Sequence, residues 1–184
     1  MIRVNRKTRV AAVVGAAVLV LASSSAVARE PISPDALKSG VRASAPVPSL
    51  FVPLTPCRVL DTRSGGGGIF VQNDQGQYQV SGVGPNFALQ GGVANGCGVD
   101  VANAVAVEVS VTAVTPQGNG YLRLWPSDEG MPNATFLNYS NGQSITNTGA
   151  VALSLVFQND LRIQNFGGRT HVVIDVQGYY AAAA

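Results

Sequence analysis

Between Cys57 and Gly68 the chain reads CRVLDTRSGGGG, which sets Arg58, Asp61, Arg63 and four consecutive glycines within twelve positions. A glycine loop with basic neighbours raises phosphate binding. That chemistry needs a helix N-terminus directly after the glycines, and usually a lysine. The residues that follow, IFVQNDQGQ, are strand-like, and no lysine occurs in residues 51–184. A surface loop is the simpler reading. The charges point to architecture. Arg58 and Asp61, three apart on a strand, face opposite ways, whereas Asp61 and Arg63 share a face. Asp175 near the C-terminus is a further partner for an arginine fork. Arg58, Asp61, Arg63 and Asp175 are therefore read as a structural ion-pair network.

Catalysis finds little support. His171 is the single histidine, and Asp175 lies four residues on along the same strand face, about 13 Å away by strand geometry. No G-x-S-x-G elbow is present. Glu108, Asp128, Glu129 and Asp175 are candidates for a glycosidase carboxylate pair, but nothing in their spacing brings two of them together. No cofactor is implied. The ion to consider is calcium at Asp128, Glu129 and Asn133, which match no defined calcium loop.

A binding surface is better supported. In GYLRLWP, burial of Leu122 and Leu124 turns Tyr121, Arg123 and Trp125 to the opposite face. Their span is about 13 Å, enough to underlie two sugar rings. Flat aromatic groups cover the apolar faces of sugars, and an arginine between them donates to hydroxyls.

The elements that would position these residues are strands. In NAVAVEVSVTAVTP, Val105, Val107, Val109 and Val111 alternate with Ala106, Glu108, Ser110 and Thr112. The same period of two runs through GYLRLWP, ATFLNYS, GAVALSLVF, LRIQNFG and THVVIDVQGYY. It is weaker in CRVLDTR, IFVQ and QYQVSGV. No long stretch has clean helical spacing. Eight or nine short strands joined by Gly- and Asn-rich turns predict an all-β fold. A single β-sandwich, Greek-key or jelly-roll-like, is expected over residues 51–184.

The N-terminus gives the address. Arg3, Arg6, Lys7 and Arg9 precede an apolar run from Val10 to Ala22, and Ala26-Val27-Ala28 fits a signal-peptidase site. The apolar run, about thirteen residues, is shorter than the roughly twenty a bilayer requires. Residues 1–28 are expected to be a signal peptide, leaving no membrane anchor after cleavage. Residues 29–50, with four prolines, are expected to be a linker or N-terminal arm. Four of the chain's 12 basic residues fall in the signal, so the mature chain carries 8 − 10 = −2, and nucleic acid is not an expected partner. In an exported chain the two cysteines, Cys57 and Cys97, are expected to form a disulfide.

Taken together, PCRVLDTR, AVAVEVSVTAVTPQGNGYLRLWPS, PNATFLNYSNGQSITNTGAV and THVVIDVQGYY resemble a domain common in secreted bacterial proteins. Members of that family open on P-x-R-x-x-D-T-R and close on D-V-x-G-Y-[FY]. They are appended to extracellular hydrolases or repeated in tandem, and most have no assigned activity. Glu108 stands here where the family shows Asn. The resemblance implies a secreted, accessory β module. The expected function is therefore a non-catalytic binding or adhesion module for cell-wall or extracellular carbohydrate, or for a cell-surface component. The alternatives are a structural surface or assembly component and, below it, a glycan-acting hydrolase.

Overall fold

The computed structural model describes residues 48–183. The signal peptide expected at 1–28 and most of the arm expected at 29–50 lie outside the described residues. The last two residues of that arm, Ser49 and Leu50, already stand in a strand.

The fold is all-β and antiparallel. Its strands are β1 (Ser49–Asp61), β2 (Gln75–Tyr78), β3 (Ala104–Pro126), β4 (Leu137–Tyr139), β5 (Ile145–Ala152) and β6 (Leu161–Ala182). One four-residue helix, α1 (Asn86–Leu89), interrupts the long loop between β2 and β3. All six strands belong to one sheet in the order β1-β6-β3-β4, with β2 also paired to β6 and β5 to β3.

The eight or nine short strands expected from the sequence become six because two long ones absorb the pieces. NAVAVEVSVTAVTP and GYLRLWP are continuous in β3, 23 residues long, and LRIQNFG and THVVIDVQGYY are continuous in β6, 22 residues long. These two strands pair along their whole length, from Ala104 opposite Ala181 to Pro126 opposite Leu161. The turn signals that divide them in sequence mark a bend. The register shifts between Val114 and Gly120, Thr115 has φ +42°, Gly118 has +133° and Gly167 has +139°. A Cβ on Gly167 would lie 2.4 Å from the Asn119 carbonyl oxygen, so the strands cross here closer than any side chain allows.

The bend divides the hairpin into two halves. In the first, β1 flanks β6 and β5 flanks β3; in the second, β2 and β4 take those places. The apolar faces of both halves enter one core. Val107, Val109, Val111, Val172, Ile174 and Val176 come from the first half, and Leu122, Leu124, Leu137, Tyr139, Leu161 and Ile163 from the second. At about 25 cal/mol per Å² of apolar surface, a fully buried valine or leucine contributes about 1.5–3 kcal/mol.

Other expected strands are shorter. IFVQ is reduced to an isolated bridge from Phe70 to Thr170. GAVALSLVF stays in a strand only through Ala152; Val151 and Leu153 are buried, but Leu155 and Phe157 are exposed. Alternation alone does not hold a strand once the neighbour on its ladder has ended, and β5 pairs β3 only from Ala106 to Ala113.

Cys57 and Cys97 are disulfide-bonded, with Cα atoms 5.6 Å apart across a sequence separation of 40. The bridge ties β1 to the loop before β3. A loop of this length gives roughly 4 kcal/mol as the chain-entropy upper figure. No helix among the described residues is long and apolar enough to cross a membrane.

Candidate functional site

Two polar centres stand out, one on each half of the bent sheet. In the first half Arg58 reaches across from β1 to β6 and holds Asp175 by two parallel bonds, Nε to Oδ1 at 2.9 Å and Nη2 to Oδ2 at 3.1 Å. Its Nη1 also reaches Asp61 Oδ2 at 3.2 Å. Arg63 takes Asp61 by a second fork, at 2.9 and 2.6 Å, and donates its backbone N–H at 3.0 Å.

The four residues of the expected network thus meet, but in a different arrangement. Arg58 and Asp61 share a face instead of opposing each other. The cause is a one-residue bulge: Arg58 pairs with Asp175 and Asp61 with Val173, so three steps on β1 match two on β6. The extra residue reverses the alternation and buries Val59, Leu60 and Asp61 in succession. The Arg63 fork holds the Asp61 carboxyl down at about 2.

Two of the four glycines, Gly65 and Gly66, act by packing, whereas a Cβ on Gly67 or Gly68 would meet nothing within 4 Å. A Cβ on Gly65 would fall 2.4 Å from the Leu89 carbonyl oxygen, and one on Gly91 2.4 Å from that of Asp61. The loop after β1 and the loop after α1 are therefore pressed backbone to backbone. Asp61 N donates to Gln90 O at 2.9 Å and Gly66 N to Leu89 O at 2.9 Å. No helix follows the glycines, so the phosphate geometry is missing.

The other polar candidates are engaged locally. His171 Nδ1 lies 3.1 Å from Thr62 Oγ1, with no acid beside it among the described side-chain bonds. Glu108 accepts from the Tyr180 hydroxyl at 3.1 Å. Asp128 and Glu129 are exposed in a turn closed by Glu129 N to Pro126 O at 3.1 Å. No group of three or more His, Cys, Asp or Glu among the described residues could hold a metal ion.

The second centre lies on the outward face of the second half. Pairing is regular from Gly120 to Pro126 and sets Tyr121 opposite Phe166, Arg123 opposite Gln164 and Trp125 opposite Arg162. Tyr121 and Phe166 stack, with ring centroids 4.9 Å apart and planes 12° from parallel. The Arg123 guanidinium lies over both rings, 5.4 Å from the tyrosine centroid and 5.0 Å from the phenylalanine. Tyr121 and Arg123 are half-buried, as is Phe166.

Trp125 departs from the expected surface. It is 3 % exposed and lies outside the core cluster, so it is covered from the outer side. The chain after the turn provides the cover. Trp125 lines a cleft of about 360 Å³ together with Glu129, Gly130, Pro132 and Phe136. It is thus a floor for that segment and offers no free ring to a sugar. Three buried donors on this face have no acceptor among the described residues: Arg123 Nε, Arg162 Nε and Trp125 Nε1.

Phe166, Arg162 and Gln164 were not singled out from the sequence. Their signal was present as the polar and aromatic alternates of LRIQNFG, but only the β3–β6 register shows what they stand beside.

A polar anchor was also missed. Asp160, 1 % exposed, accepts from Val80 N at 2.8 Å, Ser81 N at 3.0 Å and Ser81 Oγ. Its carbonyl accepts from Ser154 N at 2.9 Å. Burial pushes its carboxyl above the usual range, against the opposing pull of those donors. One turn residue thereby ties the loop after β2 to the loops flanking β6.

No family model matches the chain, and no curated protein or solved structure matches it.

Proposed function

We propose that this chain is an exported, non-catalytic binding module for cell-wall or other extracellular polysaccharide, of the accessory kind its sequence resembles. In this reading the bent sheet closes as a two-layer sandwich. The shared core supports that closure. So does the cleft in which Leu124–Pro126 from the far end of β3 meets Ala150–Ala152 of β5. The N-terminal pattern and the disulfide between Cys57 and Cys97 support export into an oxidising compartment.

The observation that carries the binding reading is the Tyr121–Phe166 stack with Arg123 laid over it. A stacked aromatic pair on an outward sheet face presents flat apolar surface, and the guanidinium beside it donates to hydroxyl or carboxylate oxygens. The first half has an aromatic pair as well, Phe51 and Tyr180 at 5.3 Å, but its rings are tilted by 51°, no guanidinium lies over them among the described residues, and the outward polar groups there bond to one another. Ser110 pairs with Thr148 at 2.9 Å, and Thr112 with Thr146 at 2.7 Å.

The test is a pull-down on insoluble wall polysaccharide with wild type, Tyr121→Ala and Phe166→Ala, each checked for melting temperature. Loss of retention in folded variants is the expected result. Undiminished retention of both would exclude this face.

One feature favours assembly instead. Val83, Val101, Leu155, Val156 and Phe157 are large apolar residues left at least half exposed. Val83 and Val101 rim a cleft of about 480 Å³ at whose wall the buried Gln79 Oε1 has no donor. Sedimentation of the mature chain across a concentration series reads this alternative directly: a monomer throughout removes it.

A further inference from the structure

Residues 48–183 contain five arginines, no lysine and eight carboxylates, a balance of 5 − 8 = −3. In so acidic a domain every arginine has carboxylates to choose from. Arg58 and Arg63 take them, whereas Arg123 and Arg162 have no ion-pair partner among the described residues. A third arginine without one, Arg169, is exposed at the bend, where it faces Gln117, whereas Arg123 and Arg162 both lie on the stacked-ring face. Register places Arg162 opposite Trp125 and Arg123 opposite Gln164, so the two arginines are diagonal neighbours. That diagonal is about 7–8 Å between backbones, within reach of long side chains.

The groups around them are neutral or donors. Gln164 lies between them on β6, and Gln75 and Gln77 face Gln164 and Arg162 from β2. Asn138 faces Tyr121 from β4. Glu129, exposed in the turn after β3, shares the cleft beside Phe136 and Ala150–Ala152 with Trp125, and it makes no ion pair with either arginine among the described residues. The face therefore offers two uncompensated guanidinium forks, side-chain amides and a flat ring pair. Trp125, buried beside this face, has an N–H with no acceptor among the described residues.

We propose that the polysaccharide bound here is an acidic one, whose uronate carboxylates sit on Arg123 and Arg162 while a sugar ring lies along Tyr121 and Phe166. This rests on the polysaccharide reading of the same face and narrows it. A guanidinium matches a carboxylate bidentately, and a charge-assisted pair is roughly twice as strong as the neutral bond a sugar hydroxyl would make. The ring pair favours a saccharide over an acidic peptide, since a peptide carboxylate needs no flat apolar surface beside it.

Three soluble polymers test this by affinity electrophoresis in low salt: polygalacturonate, its fully methyl-esterified form, and polyglutamate. The expected result is retardation by polygalacturonate at least tenfold stronger than by the ester, with polyglutamate weak. Binding should fade as salt is raised, because screening acts on exposed charge pairs. Arg162→Gln should lose about tenfold toward polygalacturonate and nothing toward the ester, with Arg162→Lys in between. Equal binding of acid and ester overturns the acidic specificity and leaves the polysaccharide reading standing. Binding of neither overturns both. Equal binding of polyglutamate and polygalacturonate overturns the saccharide class. The acid-to-ester comparison needs only wild-type protein, so a poorly folding variant does not block the test.

Discussion

The same residue type is used in opposite ways on the two halves of the sheet. Arg58 and Arg63 are locked into carboxylates; Arg123 lies on aromatic rings and Arg162 on an amide-rich strand, each without an anion among the described residues. A guanidinium that has found its carboxylate is spent on holding strands together. One left on a ring face keeps its strongest bond for something outside the chain. The first half therefore reads as architecture and the second as surface. Each region makes predictions the other does not.

The largest effect should come from the tie that secures the first half. Reducing the disulfide, or replacing Cys57 and Cys97 with serine, should cost about 3–4 kcal/mol. Differential scanning calorimetry in the presence and absence of reductant measures it.

Next is the network itself. Asp61→Ala strands Arg63, leaves Arg58 only its two bonds to Asp175, and removes the acceptor of four donors. About 2–3 kcal/mol is expected, below the figure for a fully buried pair because the arginines are partly solvated. Urea unfolding should show a lower midpoint at an unchanged slope. If Asp61→Ala melts like wild type, the contrast between the halves fails at its stronger end.

Acid should reproduce part of that loss. Asp61 titrates at about 2 in the fold against an ordinary 3.8. Its contribution is therefore full above pH of about 4 and disappears as pH falls toward 2, in all about 1–2 kcal/mol after allowance for solvent at the arginines. Asp61→Asn should flatten this limb of the stability–pH curve in acid titrations followed by circular dichroism.

The smallest stability effect should fall on the second half. Arg123→Ala removes a half-exposed cation over two rings, and about 0.5–1 kcal/mol is expected. Its mark should be on retention by polysaccharide. A loss of several kcal/mol instead would make Arg123 a structural residue and erase the distinction between the halves.

Much of this was legible in the residues, and the misses have definite causes. Val107, Val109 and Val111 announced the first-half core because alternation with a buried face has one solution. The pairing of Asp61 with Arg63 was legible because both lie on one short stretch. The contact of Arg58 with Asp61 was not, since a bulge has no residue signature here and reverses every alternation after it. Trp125 was assigned to the correct strand face and the wrong environment. It is buried beside a cleft that it shares with Glu129, Gly130, Pro132 and Phe136, and nothing in GYLRLWP announces those neighbours. Phe166 and Arg162 were visible as alternates, yet nothing local named Tyr121 and Trp125 as their neighbours.

The sequence by itself determined the class of element, the inward and outward face of the regular strands β3 and β6, the cysteine pair to expect and the charge balance. All of these follow from local periodicity and composition. Only the tertiary structure decided that β3 and β6 run unbroken through a bend, that Arg58 and Asp61 share a face, and which arginines find carboxylates and which find rings. Those outcomes depend on register between residues up to 117 positions apart, as for Arg58 and Asp175. Register is set jointly by the core, the bulges and the close backbone crossings at Gly118 and Gly167, and no single stretch of sequence carries it.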